Sequence, residues 1–464
     1  MRATDCALRG DEIAGSMPPM YLFYSVLSFV ALLLASPYFA YRALRDGKYI
    51  RGFSQRLGSL PSSLNVEREP SIWIHAVSVG EALTARVLVD GLRKRYPSHK
   101  LFLSTTTRTG QEVAQTRVAS IDGVFYLPFD WAWPIRRALD TVRPELFVMM
   151  ETELWPNLLR ACRARGVRTV LVNGRLSVRS HRRYRLAQPF FRRVLADVDL
   201  LLVQGETSGQ HFIALGADPS RVVVTGSLKF DSLDWAAAGS VGRGDDGVLR
   251  YFRMPESRVV IIAASTLRGE ETTVLRAFRS VQRKVSNALL ILAPRHPERF
   301  DEVVQLASEE GYRATRRTEL QIDAELRDEV IVLDTMGELA RLYQIATVVF
   351  VGGSLVDGGG HNILEPALFG KPILFGPYMR NFAEIADEFL RKGAAVQIRD
   401  GVHLATEVRQ LLDDPVRRTG MGAAARALVE ANRGAKARTL EEIERLLPPP
   451  RREENEKMPA IFFR

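Results

Sequence analysis

The chain has 464 residues, more than one ordinary hydrophobic core uses and enough for two α/β domains of about 150 to 200 residues plus a short appendage. Apolar residues at 46% and charged residues at 25% are soluble-protein values and exclude a polytopic membrane protein, while two cysteines, Cys6 and Cys162, exclude a disulfide framework and favour a reducing compartment. The net charge of +10 asks for an anionic partner.

Residues 1–19 read as a disordered or spurious extension, with Met17 and Met20 as alternative starts. Met20 to Tyr41 then runs for 22 residues without a charge. At about 1.5 Å per residue it reaches roughly 33 Å, against about 30 Å of hydrocarbon, so residues 20–41 are expected to form a membrane anchor. Arg42, Arg45, Lys48, Arg51 and Arg56 follow it against the single acid Asp46. That bias places the rest of the chain on the cytoplasmic side of the membrane and argues against a cleaved signal peptide. Pro37 and the aromatic content keep an interfacial helix open as the alternative to a full span.

Beyond the anchor, short apolar runs alternate with amphipathic stretches, the signature of parallel α/β units. Residues 42–237 are expected to form a first Rossmann-like domain, with strands at 72–75, 101–105, 146–150, 169–173, 200–204 and 222–225. Within it, eleven arginines and no acidic residue lie between Arg160 and Arg193. No nucleic-acid-binding pattern accompanies them, so anionic lipid headgroups or a phosphorylated glycolipid suit them better than nucleic acid. A solvated helix face is the plainer account. The glycine-rich passage 238–256 reads as a linker, and 257–447 as a second Rossmann-like domain with strands at 259–263, 288–292, 330–333, 348–351, 372–375 and 394–398. The proline-rich, charged tail 448–464 is expected to be disordered. Two doubly wound halves of this kind leave a cleft between them.

Two formal motifs carry little. Gly242, Gly244 and Gly247 satisfy the dinucleotide spacing but follow no strand, and the Asp197/Asp199 pair precedes an apolar run where a metal-binding pair would end one. The informative blocks follow strands, where open α/β sheets bind ligands. Trp73 to Glu81 (WIHAVSVGE) presents Glu81 at a helix start, where it either faces the cleft or merely complements the helix dipole. Glu151 to Asn157 (ETELWPN) supplies Glu151 and Glu153, the latter read as a solvated loop acid, and Thr225 to Asp231 (TGSLKFD) supplies Lys229. In the second half, Gly352 to Glu365 (GGSLVDGGGHNILE) is a strand end, a glycine run and a helix start, which lets backbone N–H groups approach an anion. Glu365 stands where it can accept ribose hydroxyls, and Arg295 follows another strand where it can neutralise a phosphate.

The blocks HAVSVGE, METELWPNLL, VTGSLKFD, LAPRHPERF, LDTMGEL and FVGGSLVDGGGHNILEP, in this order, resemble the Kdo (3-deoxy-D-manno-octulosonic acid) transferases of Gram-negative bacteria from the anchor to about residue 445. The resemblance implies a GT-B architecture, α/β with two Rossmann-like doubly wound domains. It implies inverting, metal-independent transfer of Kdo from CMP-Kdo to a lipid A precursor, with no cofactor. Glu81 would be the general base, and Glu151 and Lys229 would stabilise the transition state. CMP contacts carry over to Pro294, Arg295, Met336, Gly337, Glu338, Asn362, Ile363, Leu364 and Glu365. The first 19 residues depart from the family pattern. A lipid-linked sugar transferase or nucleotide-sugar epimerase using a UDP-sugar shares the same loop logic and is the alternative reading.

Overall fold

The computed structural model describes residues 19–46, 52–176, 178–233, 235, 248–255 and 257–449. The extension up to residue 18, the glycines at 242, 244 and 247 with most of the expected linker, and the tail from 450 lie outside the described residues. The chain divides into two compact units, Met1–Ser232 with Gly434–Arg464, and Leu233–Arg433.

The first unit holds β1 (Ser71–His75), β2 (Lys100–Thr105), β3 (Gly123–Tyr126), β4 (Pro144–Met150), β5 (Arg168–Gly174), β6 (Leu200–Val203) and β7 (Val222–Val224). They form one parallel sheet in the order β3-β2-β1-β4-β5-β6-β7. Helices cover both faces, so the strands are apolar without interruption and alternate residues enter different cores. Trp73, Phe102 and Phe147 pack on one side with Phe125 and Leu139. Ile72, Ile74, Leu101, Leu103 and Val148 pack on the other with Leu88 and Leu92. The indole of Trp73 is fully buried and donates to Ser104 Oγ at 2.7 Å, which removes the cost of hiding its N–H.

The second unit holds β8 (Val260–Thr266), β9 (Leu289–Pro294), β10 (Ala314–Arg316), β11 (Val330–Val332), β12 (Val348–Val351), β13 (Ile373–Phe375) and β14 (Ala395–Gln397). Its parallel sheet runs β10-β11-β9-β8-β12-β13-β14. Each sheet reverses its winding direction once, between β1 and β4 in the first unit and between β8 and β12 in the second. Such a switch point opens a crevice at the carboxyl ends of the strands.

Sequence periodicity locates twelve of these strands and overlooks β3 and β10. Both lie at sheet edges and are only partly covered, so neither carries the continuous apolar run of a central strand. The end of the chain also differs from the sequence-drawn boundary at 447. Helix Ala435–Leu446 belongs to the first unit, where Ala435, Leu440 and Ile443 complete a core and Leu440 fits over Gly91. A Cβ on Gly91 would sit 2.4 Å from Leu440 Cδ1. Asp231 caps the helix, accepting the N–H groups of Gly434 at 3.0 Å and Lys436 at 2.9 Å.

Helix Pro19–Asp46 contains the expected anchor, and Pro19–Tyr38 is long and apolar enough to cross a membrane. Its first turns are bound to the first unit. Tyr21 Oη donates to Asp197 at 2.9 Å, Asn157 Nδ2 donates to Ser25 Oγ at 2.9 Å, and Trp131 Nε1 donates to Ser28 Oγ at 3.0 Å. Phe23, Leu27, Leu33 and Leu34 are exposed. The Asp197/Asp199 pair serves structure: Asp197 follows a helix and also binds Arg163, while Asp199 accepts the Thr169 N–H. Part of the arginine run is likewise engaged, Arg163 with Asp197, Arg165 with Asp140 and Arg175 with Glu151, whereas Arg182, Arg183 and Arg185 lie exposed along helix Val178–Arg185.

Candidate active site

Glu81 lies in the first turn of helix Val79–Arg95, directly after β1, and Glu151 follows β4, so the two acids flank the switch point of the first sheet. The Ser78-x-x-Glu81 spacing is that of a capping box, but here the Glu81 carboxylate reaches past the N-cap N–H to that of Val77, one residue earlier. Ser78 is the N-cap and accepts the Glu81 N–H, while the Glu81 carboxylate accepts the Val77 N–H at 2.8 Å and the Ser78 hydroxyl at 2.9 Å. The side chain that closes the helix start is therefore also the one that stands at the switch point. Burial, and then the charge of Glu151, raise the Glu81 carboxyl above its ordinary range.

Glu151 is nearly buried, has φ 59°, and accepts from Arg175 Nε at 2.9 Å. Its own N–H is spent on Val172 O at 2.9 Å, which fixes the residue at the edge of β5. Glu153, read from sequence as a solvated loop acid, is instead half-buried near both other acids. Desolvation first, then the charges of Glu81 and Glu151, push it up to about 7. Two residues that sequence reasoning missed hold this end of the sheet together. Arg175 is the counter-cation of Glu151, and Asn173 is buried at φ 58° and accepts the Leu228 N–H at 3.0 Å. The block Asn173-Gly174-Arg175, directly after an apolar run, was the available signal. Through Asn173 the turn that carries Lys229 is drawn from β7 to the end of β5.

In the second unit, Pro294 ends β9 and Arg295 follows it, exposed, with its N–H on Thr266 O at 3.0 Å. After β11, Met336 is 64% exposed, Gly337 has φ 92°, and Glu338 pairs with the buried Arg317 at 2.9 Å and accepts from Thr335 Oγ1 at 2.7 Å. Asn362 Nδ2 donates to Glu365 Oε1 at 3.0 Å, and its Oδ1 accepts the Leu364 N–H at 3.0 Å. Burial raises the Glu365 carboxyl. The side chains of Ile363 and Leu364 are fully buried, so any ligand contact they make goes through the main chain.

The glycine loop departs from the sequence expectation of a ready anion cradle. The N–H groups of Gly353, Ser354 and Leu355 all donate to the carboxylate of Glu270, and the helix after the glycine run, Leu364–Leu368, has only five residues. An internal anion already holds the front of the loop. Among the described residues, no group of three or more His, Cys, Asp or Glu side chains is placed to hold a metal ion.

Comparison with known proteins agrees with this layout. Residues 51–232 match the family model described as 3-Deoxy-D-manno-octulosonic-acid transferase (kdotransferase), and residues 255–428 match Glycosyl transferases group 1. The chain is 33% identical over 420 residues to the 3-deoxy-D-manno-octulosonic acid transferase of Haemophilus influenzae, covering 90% of this chain and 97% of that one. It is 35% identical to the enzyme of that name from Bordetella pertussis over 381 residues, covering 80% and 86%. In structure it is similar to a glycosyltransferase from Rickettsia africae, with a TM-score of 0.56 and 11% identity over 82% of this chain and 99% of that one, a likeness of fold in the GT-B class. A third of all residues shared across nearly the whole of both chains is far more than fold alone preserves, and this chain belongs to the 3-deoxy-D-manno-octulosonic acid transferase family of glycosyltransferases.

Proposed function

We propose that the protein transfers Kdo from CMP-Kdo to a lipid A precursor in lipopolysaccharide biosynthesis, with inversion at the anomeric carbon and without a metal ion or cofactor. The observation that carries this reading is the acid pair at the switch point of the first unit, in a chain of this family. A glucosamine hydroxyl of the acceptor attacks the anomeric carbon of Kdo as the bond to the CMP phosphate breaks. Glu81, its proton affinity raised by burial, takes the hydroxyl proton. Glu151, oriented by Arg175, and Lys229 stabilise the charge that develops. One displacement inverts the centre and needs no nucleophile on the protein. The departing CMP is held by Pro294 and Arg295, by the turn Met336-Gly337-Glu338, and by Asn362, Ile363, Leu364 and Glu365. Arg295 supplies the cation for the phosphate.

The test is product analysis. Purified protein, CMP-Kdo and a tetraacylated lipid A precursor should give a Kdo-bearing glycolipid and CMP in the presence of EDTA. No product without added divalent metal, or product from a UDP-sugar in place of CMP-Kdo, would favour the alternative transferase reading.

The same reading places the protein at the cytoplasmic face of the inner membrane, on an anionic lipid surface. Tyr21, Ser25 and Ser28 tie one face of the helix to protein side chains, while Leu22, Phe23, Val26 and Leu27 are exposed. A helix held along one face by the protein and apolar elsewhere favours an interfacial placement over a span. Alkaline carbonate should then release the protein from membrane vesicles, whereas retention that only detergent reverses would mean a full span.

A further inference from the structure

In the second unit the switch point is already filled. Glu270 opens helix Glu270–Gln282, directly after β8, and its carboxylate is fully buried. Oε2 accepts the N–H groups of Leu267 at 2.8 Å and Gly353 at 2.7 Å, and Oε1 accepts those of Ser354 at 3.0 Å and Leu355 at 2.8 Å. Four backbone donors on one carboxylate satisfy a buried negative charge without a cation. The approach depends on Gly352, where a Cβ would lie 2.9 Å from Glu270 Oε2 and 2.7 Å from Ser265 O. The loop so held is tied forward as well. Gly353 O accepts the Gly360 N–H at 2.7 Å, and a Cβ on Gly353 would meet the His361 ring at 2.7 Å, so the position of Gly353 sets that of Gly360 and His361. Asn362 and Glu365 follow within one turn.

We infer that Glu270 is the positioning residue of the donor site: its carboxylate stands in the glycine loop where a ligand phosphate would otherwise sit, and it sets the loop, and through it Asn362 and Glu365, before any nucleotide arrives. This rests on the reading that the second unit binds the donor. It also alters how the phosphate is held. The donor phosphate does not use the N–H groups of residues 353–355, and its charge falls to Arg295 and to the later part of the loop.

Amide exchange on the whole protein tests the inference. In wild-type protein without nucleotide, a peptide covering 352–356 should exchange slowly, and saturating CMP should change its rate by less than about threefold. In Glu270→Gln, where an amide NH2 replaces one acceptor oxygen, the same peptide should exchange at least about tenfold faster. The donor KM should rise by about tenfold or more while kcat changes by less than about threefold, a split that a general loss of stability does not produce. Fast exchange in the nucleotide-free wild type with protection appearing only on CMP addition would overturn the inference, because the loop would then be an open phosphate cradle. An unchanged donor KM in Glu270→Gln would overturn it too. Thermal protection of the wild type by CMP checks the underlying donor reading separately. Its absence would remove that reading, while exchange in nucleotide-free protein would still decide what holds the loop.

Discussion

Replacing Glu81 by Gln should lower turnover by about 10² to 10⁴ and leave CMP binding nearly unchanged. Glutamine keeps the shape, and its carbonyl can accept the Val77 N–H while its NH2 turns to the Ser78 oxygen, so the local capping geometry is preserved. What it lacks is the capacity to take a proton. Because burial and Glu151 raise the wild-type carboxyl, the acid limb of the rate profile should lie above the ordinary carboxylate range. The rate should fall as pH drops through that raised value, since the base is then protonated. The residual activity of the Gln variant should show no such limb. If Glu81 served only its helix, the substitution would cost about 1 kcal/mol of stability or less and spare the rate. Turnover at saturating donor and acceptor, measured beside a melting curve, separates the two. Near-normal turnover would remove Glu81 from the mechanism and leave Glu151 as the next candidate base.

Arg299→Ala should destabilise the second unit by about 3 to 5 kcal/mol, the cost of leaving a buried charge without its partner. Glu271 is fully buried, and Arg299 Nη1 and Nη2 reach its two oxygens at 2.6 and 3.3 Å. Alone, the Glu271 carboxylate would be left buried without the cation that bonds both of its oxygens. The double variant Glu271→Gln with Arg299→Ala should be more stable than Arg299→Ala alone, because no charge is stranded. Denaturant unfolding of the wild type and both variants reads these expectations. A single variant within about 1 kcal/mol of wild type at neutral pH would show that water reaches Glu271. The pair matters to the site because Glu270 and Glu271 are neighbours in one helix turn. One holds the loop after β12, and the other holds the segment after β9 that carries Arg295.

The candidate site blocks were legible because each follows a strand whose apolar run is itself legible. Glu81, Glu151 and Arg295 all stand directly after such runs, and the structure finds them at the carboxyl ends of β1, β4 and β9. Glu153 shows where this reasoning stops. A loop acid looks the same in sequence whether water or two other carboxylates surround it, and only the fold brings Glu81 near it. The arginine run is a similar case: composition counts its charges but cannot tell Arg175, held by Glu151, from Arg182, open to solvent.

What the sequence determined alone was local and periodic. Two series of strands and helices, an apolar first helix and a set of strand-end blocks follow from side-chain spacing, because burial on both faces of a parallel sheet demands continuous apolar runs. Tertiary structure alone decided the long-range pairings. Glu270 meets Gly353 from 83 residues away, Asp231 caps a helix that begins past residue 430, and Tyr21 finds Asp197 from 176 residues away. Backbone N–H groups and buried carboxylates carry no mark of their partners in sequence. Each must be satisfied by something, and only the folded chain brings a partner within hydrogen-bond distance.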